Sequence, residues 1–176
     1  MSARHTPHAG SGDSIGALAF GLLTVSDTRS SGNDVSGSLL RELVEASGHG
    51  VFATAIVPDE APAVRGQVLA WALDPACAVI LSSGGTGLSA RDCTVEAVSD
   101  LFDVRIDGFG ELFRLLSFET IGSAAMLSRA AAGVVRGTPV FLLPGSPEAV
   151  TLALTRLVLP EISHVVGELR RHGPRG

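Results

Sequence analysis

Residues 76–87 read Ala-Cys-Ala-Val-Ile-Leu-Ser-Ser-Gly-Gly-Thr-Gly, and this stretch decides the fold. Its first six residues are apolar without alternation, the pattern of a strand covered on both faces in a parallel sheet. The polar, glycine-rich half that follows is a loop at the carboxyl end of that strand. Open α/β sheets bind their ligands beyond such ends.

Working outward, residues 20–25, 51–57 and 140–143 are further apolar strands, and helical signals separate them. Asp34 is placed to cap a helix over 35–47, whose Leu39, Leu40, Leu43 and Val44 share one face. Pro58-Asp59-Glu60-Ala61-Pro62 opens a second helix that Asp74-Pro75 ends. A third helix is expected over 94–101 with Thr94 as its N-cap, a short strand over 103–107, and a two-piece helical segment over 108–128. Residues 131–135 and 140–143 pair as a hairpin around Arg136-Gly137. A helix over 148–159 is broken by Pro160, and another covers 161–171. Strands alternating with helices define an α/β layered fold. The expected organisation is a tail over 1–17, a single domain over 18–168 and a second tail over 169–176.

Composition narrows the function. The 176 residues are 45% hydrophobic and 18% charged, which excludes a disordered chain. A net charge of −5 argues against nucleic-acid binding, which depends on neutralising phosphates. There is no lysine, so all 13 cationic side chains are arginine. A lysine-bearing phosphate loop and a lysine Schiff base are excluded. Cys77 and Cys93 cannot build a disulfide framework or a four-cysteine zinc site, and point to a reducing, cytoplasmic compartment. The apolar run 15–25 reads as a first strand rather than a signal sequence, because Asp13 precedes it and Ser26-Asp27 follows directly. No apolar run reaches the roughly 18 residues that span a bilayer, so no membrane partner is expected.

The chemistry belongs to the strand ends. Ser82, Ser83, Gly84, Gly85, Thr86 and Gly87 suit either a plain glycine turn or a loop whose N–H groups and hydroxyls hold an anion. Gly85-x-Gly87-x-x-Ala90 also fits a dinucleotide fingerprint, but after the wrong strand. Asp92 is either a residue beside the helix start or a carboxylate facing bound phosphate across Mg²⁺. Asp59 is either a helix cap or a second carboxylate on that metal. Ser26 and Asp27, Pro58-Asp59-Glu60, and Pro144-Gly145-Ser146-Pro147 end the other strands, and parallel pairing would bring all four loops to one edge. Arg91, Arg114 and Arg129 are candidate phosphate partners. No histidine neighbours these loops in sequence, which argues against a Ser-His-Asp triad or a histidine zinc site. Phe109, Phe113 and Phe118 are core or subunit interface.

Together, Thr24-Val-Ser26-Asp27, Asp34-x-Ser36-Gly37, Val57-Pro58-Asp59-Glu60, Ser83-Gly84-Gly85-Thr86-Gly87, Arg91-Asp92-x-Thr94-x-Glu96-Ala97, Gly108-Phe109-Gly110-Glu111, Ser128-Arg129-Ala130 and Pro144-Gly145-Ser146-Pro147 form a pattern. Over residues 18–166 it resembles the MoaB/Mog family of molybdenum-cofactor biosynthesis proteins, and is similar to the G domain of gephyrin. The resemblance implies a three-layer α/β/α sandwich around a mostly parallel sheet with a small antiparallel hairpin, assembled as a homotrimer and sometimes a hexamer. It implies that molybdopterin is bound and its terminal phosphate adenylylated with ATP and Mg²⁺, releasing pyrophosphate. A non-catalytic molybdopterin carrier of the MoaB type is the alternative, because little follows the final helix. By this likeness Asp59 and Asp92 are the catalytic, metal-side acids. Ser83, Gly84, Gly85, Thr86 and Gly87 hold the ligand with Ser26, Asp27, Gly145 and Pro147, and Ser146 lies beside the pterin phosphate.

Overall fold

The computed structural model describes residues 15–172. The segment 1–14 and residues 173–176, both read as tail, lie outside them. Six strands form one sheet: β1 (Ala19–Val25), β2 (Gly50–Val57), β3 (Val79–Ser83), β4 (Val104–Arg105), β5 (Ala131–Val135) and β6 (Thr138–Leu143), in the order β2-β1-β3-β6-β5-β4. β2, β1, β3 and β6 run parallel, while β5 is antiparallel to both of its neighbours. The β5–β6 hairpin turns at Arg136 and Gly137, both at positive φ (51° and 83°), the signature of a tight right-twisting turn.

Helices cover both faces. α1 (Val35–Ala46), α4 (Asp107–Ile121), α5 (Pro147–Ala153) and α6 (Leu159–His172) lie on one side; α2 (Ala61–Ala72) and α3 (Thr94–Ser99) lie on the other. The alternation of side chains along the strands builds these two cores. Phe20 and Leu22 of β1, Val79 and Leu81 of β3, and Phe141 and Leu143 of β6 face α1 and α4–α6. Leu23, Ile80, Val140 and Leu142 face α2 and α3. The architecture is the three-layer α/β/α sandwich that the family resemblance implies.

Three local readings are corrected. β3 starts at Val79 and runs through Ser82 and Ser83, because residues 76–78 are still leaving the turn after α2, where the Cys77 N–H donates to the Asp74 carbonyl (3.0 Å). α3 ends at Ser99, and its N-cap position is Cys93; Thr94 caps nothing and is fully buried. Pro160 does not break the final helix. It follows a π-turn over Leu154–Val158 in which the Leu159 N–H donates to the Leu154 carbonyl, so the chain stays helical through His172 and residues 169–172 are not tail. The wider turn absorbs the donor that proline lacks.

The continuous helix Pro147–Arg171 contains an 18-residue window with a mean hydropathy of 1.4, long and apolar enough by composition to cross a bilayer. Its apolar face is already committed, with Val150, Leu154, Val158, Ile162 and Val166 buried against the sheet. It is a core helix of this fold.

Gly21 of β1 lets α2 lie close to the sheet: a Cβ there would sit 2.6 Å from the Trp71 ring and 3.2 Å from the Cys77 sulfur. Gly21→Val should therefore lower unfolding stability by about 1–3 kcal/mol through overpacking, measured by urea denaturation. A variant as stable as wild type would contradict this packing.

Candidate functional site

The parallel strands bring their carboxyl ends to one rim. There, the Ser26 N–H donates to the Val57 carbonyl (2.9 Å), joining the ends of β1 and β2. The Gly84 N–H donates to the Leu143 carbonyl (3.1 Å), joining β3 to β6. The Ser36 hydroxyl, in the first turn of α1, donates to the Gly145 carbonyl (2.6 Å). Asp34 does cap α1, accepting the Gly37 N–H on one oxygen (2.9 Å) and the Thr24 hydroxyl on the other (2.6 Å).

Glycine is required at the centre of this rim. Gly84 has φ +102°, and a Cβ there would strike the Val25 carbonyl; Gly85 has φ +63°, and a Cβ there would strike Thr94 Oγ1 and come within 2.8 Å of Asp59 Oδ1. A Cβ on Gly145 would touch Gly84 Cα at 3.4 Å, so the loops after β3 and β6 are in direct contact. Among the described residues, the N–H groups of Gly85, Thr86, Gly87, Gly145 and Ser146 have no acceptor within the chain. Such a run of free donors is an anion-binding concavity.

These donors open onto a cavity of about 940 Å³ between the rim, α4 and α5. It is lined by Gly84, Gly85, Thr86, Gly87, Asp92, Gly145, Ser146 and Pro147 of the residues singled out in the sequence. Asp92 accepts the Ser89 N–H on its carboxylate (2.8 Å) and stands beside Gly87. Ser83 is buried beneath the loop with its hydroxyl unpartnered. Ser26, Asp27 and Asp59 do not line the cavity. Ser26 Oγ accepts the N–H groups of Thr28 and Arg29 within its own turn (3.3 Å each). Asp27 forms an ion pair with Arg91 and accepts the Asp59 N–H (3.1 Å). Asp59 lies on the other side of Gly85, and the residue at the N-cap of α2 is Glu60.

The three arginines considered as phosphate partners have other work. Arg129 donates to the carbonyls of Thr86 and Asp92 (3.1 Å each) and forms an ion pair with Glu96, so it ties the glycine loop to the Asp92 loop and α3. Arg91 pairs with Asp27, and Arg114 donates to the Ala130 carbonyl (3.4 Å). The cation that lines the cavity is Arg156, which sequence reading missed together with Ser117, Thr120, Thr151 and Thr155. Their helical spacing on α4 and along Pro147–Arg171 was the available signal. Phe109 and Phe113 prove to be core, whereas Phe118 is 60% exposed.

Asp59 Oδ1 is buried and has no hydrogen-bond partner. Burial first, then the charges of Asp27 and Asp92, push its carboxyl above the ordinary range. A carboxylate oxygen left unpaired beside other acids is a hard donor suited to Mg²⁺, which needs one or two carboxylates and completes its shell with water and phosphate. Among the described residues no three His, Cys, Asp or Glu side chains gather as a protein cage, which such a phosphate-completed site does not require. Burial raises Cys77 to about 11 and also raises Cys93, so neither thiol is a ready nucleophile.

The arrangement is that of an α/β domain whose strand-end rim presents free backbone donors to a cavity. The family described as "Probable molybdopterin binding domain" matches residues 21–164, and the chain belongs to it. It is 48% identical over 151 residues, covering 85% of this chain and 89% of the relative, to Molybdenum cofactor biosynthesis protein B of Bacillus subtilis (strain 168). A crystal structure of Molybdenum cofactor biosynthesis protein B superposes with a TM-score of 0.86 at 46% identity, covering 88% of this chain and 97% of that one. The tungsten cofactor synthesizing protein MoaB from Pyrococcus furiosus superposes at 0.80 with 37% identity, covering 88% and 98%.

The raised Asp59 predicts a pH effect. The folded chain binds this proton more tightly than the unfolded one, so ionisation destabilises the fold as pH climbs from the ordinary carboxylate range through the raised value. Asp59→Asn should melt above wild type at about pH 7.5, and the difference should vanish near pH 3, where both states are protonated. Thermal unfolding across pH measures this; an Asn variant that melts lower at neutral pH contradicts it.

Proposed function

We propose that this protein acts in molybdenum-cofactor biosynthesis in the cytoplasm, binding molybdopterin and adenylylating its terminal phosphate with ATP. The observation that carries the reading is the set of five free N–H donors from two touching loops, opening into a cavity large enough for a pterin. Gly85, Thr86, Gly87, Gly145 and Ser146 hold phosphate oxygens. Asp92 and Asp59 flank the glycine loop and would hold Mg²⁺, which when bound offsets the phosphate charge and supplies a Lewis acid. A molybdopterin phosphate oxygen forms the new bond to the α-phosphorus of ATP, and the bond from that phosphorus to the bridging oxygen breaks to release pyrophosphate. Such a displacement needs position and charge stabilisation rather than a covalent nucleophile. Arg129 contributes by keeping Thr86 and Asp92 in register. The raised thiols of Cys77 and Cys93 are consistent with a site that uses no cysteine.

A homotrimer, or a hexamer built from it, completes the proposal. Leu112, Leu115 and Phe118 of α4 and Met126 and Leu127 of the 3₁₀ turn that follows (Gly122–Leu127) are exposed. An apolar surface of this kind marks an interface. Light scattering should give the mass of three or six chains; a monomer at micromolar concentration would contradict it.

Incubation with molybdopterin and MgATP should release pyrophosphate and yield adenylylated molybdopterin. Asp92→Asn should slow turnover by about a hundredfold or more while leaving molybdopterin bound. Tight pterin binding without ATP consumption, where an active homologue turns over, would make the protein a carrier.

A further inference from the structure

Arg129 follows the 3₁₀ turn Gly122–Leu127 and does not line the cavity, yet every nitrogen of its guanidinium is in use. Nε donates to the Thr86 carbonyl and Nη2 to the Asp92 carbonyl (3.1 Å each), while Nη1 pairs with the Glu96 carboxylate. The side chain is only 25% exposed. The three acceptors belong to the glycine loop, to the turn before α3 and to α3 itself. A rigid planar fork can meet all three at once.

What the fork does to the loop follows from how the neighbouring peptide units are held. The Gly84 N–H donates to the Leu143 carbonyl (3.1 Å), which fixes the Ser83–Gly84 peptide. The Thr94 N–H donates to the Gly85 carbonyl (3.0 Å), which fixes the Gly85–Thr86 peptide. Both are held by backbone. The next unit, Thr86–Gly87, has no backbone partner among the described residues: its carbonyl accepts from Arg129, and its N–H has no acceptor. The peptide is trans, so its carbonyl and N–H point in opposite directions. With the carbonyl drawn to Arg129, the Gly87 N–H is turned the other way, toward the cavity that Gly87 lines.

The local sequence leaves that orientation open. Reversing the unit turns ψ of Thr86 and φ of Gly87 together, and glycine accepts φ of either sign without steric cost. The reversed unit would present the Thr86 carbonyl oxygen, an acceptor, where an anion needs a donor. We propose that Arg129 is a positioning residue that selects the orientation of the Thr86–Gly87 peptide and so completes the donor row. Resting on the molybdopterin reading, the group that this donor serves is the terminal phosphate.

Crystal structures of ligand-free variants, with equilibrium binding of molybdopterin and of its dephosphorylated form, test this. In Arg129→Met the Thr86–Gly87 peptide should be reversed or found in two orientations. Molybdopterin binding should weaken about tenfold or more, and binding of the dephosphorylated probe should change less than about twofold. Arg129→Lys keeps a cation beside Glu96 but not the fork, and should fall between in both readouts. A peptide that keeps its orientation in these variants, full molybdopterin affinity, or an equal loss for both probes would overturn the assignment while leaving the molybdopterin reading intact. A wild-type chain that binds neither probe would overturn that reading, and the peptide orientation in the variants would still decide the role of Arg129.

Discussion

Past the end of β3 the chain runs so close to β1 that any side chain at Gly84 would collide with the Val25 carbonyl. This close approach, continued at Gly85 against Thr94 and Asp59 and at Gly145 against Gly84, fixes where the loops lie relative to one another. The Gly84 N–H to Leu143 bond uses the same closeness to join β3 and β6. What remains on the outer side is a row of backbone donors with nothing to satisfy them. Thr86 is buried and Gly85 half-buried, where N–H groups are rarely left without an acceptor, and a row of such donors is the kind of concavity that suits an anion.

The acids and arginines around this row are arranged so that the row itself is not neutralised by side chains. Arg129 and Arg91 face away from the cavity toward Glu96 and Asp27. Asp59 keeps an unpaired, buried oxygen next to two like charges, an arrangement that stores strain until a cation or a proton relieves it. The hydroxyls of Ser82, Ser83 and Thr94 are also buried without a partner, with Ser82 and Ser83, consecutive in β3, on opposite faces of the sheet. Local rules that favour stability are thus broken together, at one rim, which is where function is expected to break them.

Much of the fold was legible in the sequence. The unbroken apolar runs of β1, β3 and β6 and the Arg136-Gly137 turn gave the layered sheet and its hairpin, because period and turn chemistry are local properties. The glycine loop and the acids at the strand ends were legible for the same reason. Arg156 was not: its place on the cavity wall depends on α4 and α5 enclosing that cavity, which no short motif records. Thr94 looked like a cap because threonine before an apolar run often is one, but tertiary packing under Gly85 took its hydroxyl. Pro160 looked like a break because proline removes a donor, and the π-turn over Leu154–Val158 supplied a way to stay helical. Arg129 was noticed as a charge, yet its carbonyl acceptors are visible only in three dimensions.

Backbone amide chemical shifts recorded during titration with molybdopterin examine the central claim most directly. The account predicts that the largest changes fall on Gly85, Thr86, Gly87, Gly145 and Ser146 together, with little change at Arg136 and Gly137 on the opposite pole of the sheet. Saturable binding that perturbs the Arg136–Gly137 end and leaves the glycine rim unmoved would contradict it.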